Sequence, residues 1–381
     1  MMAMTAREVR EARSSIAFEL RDHARFVDSY VVTRKLGSGG DGTVYLWKHK
    51  HTDLLVAVKT SNQSGSSLDL GLMKEAKNIE ALGKHTHVVE MLAYSLNHLP
   101  RSPAIFLEFA PFGDLSGYRA RVFGQQMEQR EAEHIPEATI CKLLRDMSLA
   151  LELLHGKKFL HTDLKPDNIL VCAPDGWTAE DGIPVLPVFK LTDFSRMVSF
   201  PLGIRVAREH NGGTPEFSPP LSEREDLCPS GDMWSLGCTI QTFALGILPT
   251  QSKEAFIADR EAAGKSHPEL NDSKAWADEE WRKLVPNLYR PLSATWDELV
   301  QNWDVESSQV EVRPDQPYSG HINAWYMALW DTDKNTRITA KALVEYFIPT
   351  IDSDIELAEA QDLAEASFRT ARNLRAVSSF W

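Results

Sequence analysis

The run HTDLKPDNIL at residues 161–170 brings Asp163, Lys165 and Asn168 close together in the chain, and LTDFS adds a further carboxylate, Asp193. Carboxylate and amide oxygens are the hard ligands that magnesium requires. A string of this composition is a poor fit to an ordinary surface loop. Upstream, GSGGDGTV sets Gly37, Gly39, Gly42 and Val44 in a GxGxxGxV spacing. Without β-carbons, a hairpin at such a place can lie close over phosphates, whose oxygens accept backbone N–H bonds. Taken alone, the spacing also fits a plain glycine-rich turn. No GK[ST] closes it, so it is not a Walker A loop, and a strand rather than a helix follows, which sets it apart from a dinucleotide fingerprint. VAVK then puts Lys59 at the end of an apolar strand, where a lysine often only snorkels to solvent.

These groups need a scaffold. YVVTRKLG from Tyr30, GTVYLWKHK from Gly42 and LLVAVKTS from Leu54 predict three consecutive antiparallel strands, separated by the glycine-rich turn and by HTD at residues 51–53. A helix is predicted over 68–82, and VVEMLAYSL and AIFLEFA add two strands. Beyond Phe112 the pattern becomes helical. Pro136 opens ATICKLLRDMSLALELLHG, whose apolar residues recur at spacings of three and four. Further helices are predicted around 231–246, 251–263, 275–284, 321–328, 339–346 and 355–374. Residues 7–27 predict a helix touching the main domain through Ile16, Phe18, Leu20, Phe26 and Val27. Residues 172–187 read as an insert or broadened hairpin, and 260–320 as irregular segments between helices.

In their order, these motifs resemble the eukaryotic-type protein kinase family, serine/threonine branch, over about residues 30–348. The resemblance implies an α+β, two-lobed protein kinase-like fold: a small antiparallel sheet plus helix as N-lobe (about 30–110) and a mainly helical C-lobe (about 111–348). Helical extensions at 1–29 and 349–381 flank it. It implies ATP and Mg2+ as cofactors, a protein substrate, and transfer of the γ-phosphate to serine or threonine hydroxyls. On the matching positions, Gly37, Gly39, Gly42, Val44 and Ala57 enclose the nucleotide. Lys59 grips its α- and β-phosphates and pairs with a glutamate of the following helix, Glu75 rather than its competitor Glu80 because Leu82 sits seven residues on. Asp163 orients the acceptor hydroxyl and takes its proton, Lys165 lies near the γ-phosphate, and Asn168 and Asp193 hold magnesium. Leu107 matches the gatekeeper, Glu108 to Ala110 the backbone that meets adenine, and Asp114 a ribose partner. GTPEFSPPL from Gly213 resembles the end of an activation segment, with Thr214 in the substrate platform. Asp232 matches an aspartate tied to the catalytic-loop backbone, and Arg337 the late arginine of the family.

Three positions depart from the family pattern. Ser195 replaces the last glycine of DFG, and a β-carbon there is expected to resist dihedrals that glycine tolerates, altering the flip of Phe194 and the placement of metal. Thr162 replaces the arginine that in family members clamps a phosphorylated loop residue. Arg196, Arg205 and Arg208 remain as other cations, and catalytic competence is expected not to depend strongly on activation-loop phosphorylation. Leu221 replaces a glutamate, so Arg337 must find Glu223 or Glu225 instead. Two other readings stand beside the enzyme: a pseudokinase scaffold or nucleotide-binding module with little phosphotransfer, and a small-molecule kinase, against which GTPEFSPPL speaks.

Composition narrows the partners. The chain has 381 residues, 43% hydrophobic and 25% charged, as a globular protein does. A net charge of −13 argues against holding nucleic acid by bulk phosphate neutralisation and favours basic partners or substrates. The four cysteines form no CxxC pair and no run of about 18 to 20 apolar residues occurs, so an intracellular protein of cytoplasm or nucleus, away from membranes, is expected. The sequence leaves the oligomeric state open, with a monomer slightly favoured.

Overall fold

The computed structural model describes residues 16–39, 42–52, 54–61, 67–98, 102–129, 134–178, 180–201, 213–224, 226–251, 253–264, 284, 287–303, 305 and 316–378. A short helix, α1 (His23–Ser29), leads into a five-stranded antiparallel sheet of β1 (Tyr30–Gly39), β2 (Gly42–His49), β3 (Leu55–Thr60), β4 (Met91–His98) and β5 (Ser102–Glu108), ordered β1-β2-β3-β5-β4. Strand alternation sorts the residues of β3 and β5 between two cores. Val56, Val58, Ala104 and Phe106 join Leu20, Phe26 and Tyr30 beneath α1, whereas Ala57, Ile105 and Leu107 join the core shared with the helical lobe. Lys59, two residues from Ala57, therefore leaves the strand on the second face. That face looks toward the other lobe.

Helix α2 (Ser67–Leu82) crosses this face, burying Leu72, Ala76, Ile79 and Leu82 at spacings of four and three. The second lobe is built on α4 (Glu137–Gly156), with α3 (Leu115–Gln129) before it and α5 (Pro229–Leu245), α6 (Lys253–Ala262), α7 (Trp296–Asn302) and α8 (Gly320–Met327) after. The short pairs β6 (Phe159–Leu160) with β9 (Val198–Ser199) and β7 (Ile169–Cys172) with β8 (Val188–Leu191) carry the chemistry-bearing loops to the lobe boundary.

Several expectations need correction. The helix expected over 7–27 breaks at Asp22, whose carboxylate accepts from Ala24 N and Arg25 N and so starts α1; residues 7–15 lie outside the described residues. Leu20 and Phe26 are buried as expected, but Phe18 is 60% and Val27 38% exposed. The helix expected at 275–284 falls outside the described residues except for residue 284. Within 260–320, read as irregular, α7 forms behind a capping box of Thr295 and Glu298. Near the end, Ala340–Ala342 widens into a π-helical turn at Leu343–Phe347 and runs on as α9 (Ile348–Ser378), so the terminal helix starts before residue 355.

Candidate active site

The faces of the two lobes enclose a cleft of about 660 Å3, and every catalytic, nucleotide-contacting and metal-ligating residue singled out from the sequence lines it. On the sheet side, register sets Val44 opposite Lys59 and Ala57 opposite Leu107. Gly42 has φ 151°, and a β-carbon there would stand 2.4 Å from the Thr60 carbonyl oxygen. A β-carbon at Gly37 or Gly39 would meet nothing within 4 Å among the described residues.

Lys59 donates to Glu75 Oε2 at 2.7 Å and to Asp193 Oδ1 at 3.2 Å. Burial alone would push the lysine down, but the two carboxylates outweigh it and hold the ammonium above its ordinary range. Glu75 lies on the buried stripe of α2, whereas Glu80 faces solvent. Asp193 sits in the left-handed region at φ 58°, ψ 70°. Burial pushes its carboxyl up; the charge of Lys59 and hydrogen bonds from Ser195 and Lys59 more than reverse this and hold it below the usual range.

Across the cleft, Asp163 Oδ1 accepts from both Thr214 N and Thr214 Oγ1 at 2.8 Å. Lys165 Nζ reaches Thr214 Oγ1 at 2.7 Å and Asp163 Oδ2 at 3.2 Å. Asn168 donates through Nδ2 to the Asp163 carbonyl at 2.7 Å and to its Oδ2 at 3.3 Å, which turns the amide oxygen to the other side. The loop is held from below by Asp232, which accepts from His161 N at 3.0 Å and Thr162 N at 2.9 Å and meets His155 Nε2 at 2.9 Å. His161 is fully buried, bonded to the Thr192 carbonyl and edge-on to Phe194; its role is structural. Gly213 is needed here: at φ 81° a β-carbon would fall 2.2 Å from the Thr162 carbonyl oxygen.

The family model described as protein kinase domain matches residues 30–347. The chain belongs to that family. A serine/threonine-protein kinase ATG1 of Beauveria bassiana is 25% identical over 264 residues, covering 61% of this chain and 28% of that protein. An Aurora kinase of Schizosaccharomyces pombe is 28% identical over 61% of this chain and 59% of its own length, and the Arabidopsis thaliana serine/threonine-protein kinase SRK2G is 29% identical over 58% and 56%. The chain thus spans less than two thirds of the length of each of these relatives.

In the kinase domain the hinge residues do more than the sequence indicated. Glu108 turns its carboxylate onto Lys190 Nζ (2.7 and 2.8 Å) and Glu90 N (2.7 Å), fastening β5 to β8. Asp114 accepts from Gly117 N at 2.7 Å, capping α3; its position before the run LSGYRA was a legible cap signal. Arg34, Arg121, Asp167 and Arg196 also line the cleft and were not assigned to it from sequence.

The three departures resolve differently. Ser195 lies in a right-handed 3-10 turn, Phe194–Arg196, where a β-carbon is unstrained; the left-handed residue is Asp193. In this conformation the Ser195 β-carbon meets no backbone strain, and Ser195 hydrogen bonds to Asp193. Thr162, at φ 67°, donates through Oγ1 to the Arg196 carbonyl at 3.0 Å, a direct tie where arginine would reach for a phosphate. Arg196 Nε stands 3.9 Å from Asp163 Oδ2, while Arg205 and Arg208 lie outside the described residues. Arg337 finds Glu223 by two parallel bonds, NH1 to Oε2 at 2.8 Å and NH2 to Oε1 at 2.7 Å. Its other possible partner, Glu225, lies outside the described residues, and Leu221 is 49% exposed.

Proposed function

We propose that the chain transfers the γ-phosphoryl group of ATP to serine or threonine hydroxyls of a protein substrate, with Asp163, Lys165, Lys59 and Glu75 as its catalytic machinery. One observation carries the reading furthest. The bond that Asp163 Oδ1 accepts from the Thr214 hydroxyl at 2.8 Å is of the kind it must accept from an incoming acceptor hydroxyl, and Lys165 stands beside it. As the acceptor oxygen bonds to phosphorus and the bridge to ADP breaks, the hydroxyl proton passes to Asp163. Lys59, fixed by Glu75, offers its charge to the phosphates, and Gly37, Gly39 and Gly42 let the β1–β2 turn close over them. Ala57, Val44 and Leu107 offer an apolar slot for the base, with the backbone of Glu108 to Ala110 along its edge and Asp114 near the sugar.

The donor set fits magnesium. Asn168 spends its NH2 on Asp163 and keeps an oxygen, and Asp193 is held ionised by Lys59, so two hard oxygen ligands face the cleft. When bound, the ion would neutralise charge on the phosphate oxygens. The intact set Lys59, Glu75, Asp163, Asn168 and Asp193 favours an enzyme over a pseudokinase. The test is to incubate purified protein with ATP, magnesium and an array of peptides, and to map the phosphate by mass spectrometry. Phosphoserine or phosphothreonine on the peptides, lost in Asp163→Asn, is expected; nucleotide binding with no phosphate on any peptide would support the scaffold reading instead.

A further inference from the structure

Behind the hinge, on the side away from the nucleotide cleft, lies a second concavity of about 1050 Å3. One wall is the 172–187 insert, one is α9, and the sheet contributes Leu55 and Leu92 above them. The insert is a built wall. Asp362 of α9 accepts from Val185 N at 2.7 Å and Leu186 N at 3.1 Å, Thr139 donates to the Val185 carbonyl, and buried Tyr118 donates to the Pro184 carbonyl at 2.6 Å. Trp177 is fixed by its indole N–H on the Gly182 carbonyl.

Charge on this groove runs one way. Among the described residues its lining carries Glu108, Asp175, Glu356, Glu359 and Asp362 against the cation Lys190, and Lys190 is already paired with Glu108. Lys142 approaches Glu359 at 3.6 Å but is shared with Asp146 at 2.9 Å. Between the carboxylates stand apolar side chains, Leu92, Trp177 and Leu363, the last 40% exposed. Apolar surface bordered by more carboxylates than cations among the described residues is complementary to a segment carrying both apolar residues and Lys or Arg, and repels nucleic acid and anionic surfaces.

We propose that this groove docks a basic amphipathic peptide segment of a partner protein, its apolar side chains against Leu92, Trp177 and Leu363 and its cations on Asp175, Glu356 and Glu359. Docking here is separate from the phosphotransfer reading, since no residue of the catalytic set lines the groove.

The probe is a fluorescent helical peptide of Leu and Lys, about 16 residues long, compared by anisotropy with its counterpart carrying Glu for Lys. With the full chain, the Lys peptide binds and weakens as salt rises from about 0.05 to about 0.3 M; the Glu peptide does not bind. Asp175→Lys with Glu356→Lys lowers affinity at least about tenfold, whereas the exposed pair Glu80→Lys with Glu261→Lys, the same charge change elsewhere, lowers it less than about twofold. Ala360→Arg, which fills the groove without touching its fixed wall, also abolishes binding and serves if the double variant fails to fold. Equal losses in the two charge-reversed proteins, no binding by the parent, or binding of the Glu peptide would overturn the proposal. So would a photo-crosslinker at position 363 that captures the chain's own residues or a second copy.

Discussion

Lys59 and Arg337 are both buried cations that meet carboxylates from distant parts of the chain, and they are held in opposite ways. Arg337 spends four of its five N–H donors, two on Glu223 and one each on the Asp331 and Ser230 carbonyls, with its plane over Trp234 at 4.8 Å. Its side chain is 0% exposed. Lys59 has a compact ammonium shared between Glu75 and Asp193, and Asp193 keeps 25% of its side chain exposed to the cleft. A planar fork locked to one carboxylate is scaffolding; a point charge on a cleft wall can be re-partnered by an arriving anion. Burial alone does not separate structural from functional ion pairs, whereas saturation of the donors does.

The largest effect should come from the scaffold. Arg337→Ala leaves Glu223 buried without a partner and should lower unfolding stability by about 3–5 kcal/mol, measured by urea titration; a change below about 1 kcal/mol would sink the contrast. On the cleft side, Asp163→Asn should cut turnover by at least about 100-fold, about 2.7 kcal/mol of transition-state stabilisation, with ATP affinity and the unfolding midpoint nearly unchanged. Equal turnover of parent and variant would remove Asp163 from its role. A comparable smaller loss is expected on the outer face of the sheet. His98, beside His23 at 5.2 Å and against Phe26 and Phe106, is pushed down to about 4 by burial and by His23. The unfolded chain takes up that proton near 6.5 and the folded one near 4, so stability is full above 6.5 and falls by about 1–3 kcal/mol as pH drops toward 4. Thermal unfolding across that window, with Trp47 next to Phe26 as reporter, checks this, and His98→Leu should flatten the slope. Magnesium removal should weaken ATP binding about tenfold, since Asn168 and Asp193 offer oxygen only to a cation; identical calorimetric titrations in EDTA and in magnesium would favour the scaffold reading. Least affected of all should be kcat/KM after phosphatase treatment, which should change less than about tenfold because Thr162 ties the loop without a phosphate.

The motif residues were legible because each must be one residue type at a fixed distance from the next, and strand alternation alone put Ala57 and Lys59 on one face. Glu75 was separable from Glu80 through its spacing to Leu82, and in the structure Glu75 is buried with Leu72, Ala76 and Ile79. Two helix starts were overlooked despite local signals: Asp22 sits in the charged run RDHAR between Leu20 and Phe26, and the capping box at Thr295 lies in a stretch dense in tryptophan and proline. What sequence could only narrow were contacts fixed by tertiary folding. Glu223 and Arg337 lie 114 positions apart, and nothing local distinguishes Glu223 from Glu225. Nor does local sequence announce that Glu108 would be spent on Lys190, 82 positions away.

Phe194 has a consequence for small molecules. Its ring is fully buried, its carbonyl accepts from Asn78 Nδ2 at 2.7 Å, and the neighbouring Ser195 is bonded to Asp193. A compound that enters by displacing this ring must expose about 1.5–3 kcal/mol of apolar burial and break a hydrogen bond worth about 1 kcal/mol before any contact of its own is counted. Inhibitors shaped to the front of the cleft, between Leu107 and Leu170, face no such toll. Screening collections for this chain should therefore return compact, flat, purine-like chemotypes far more often than elongated ones that reach past Asp193.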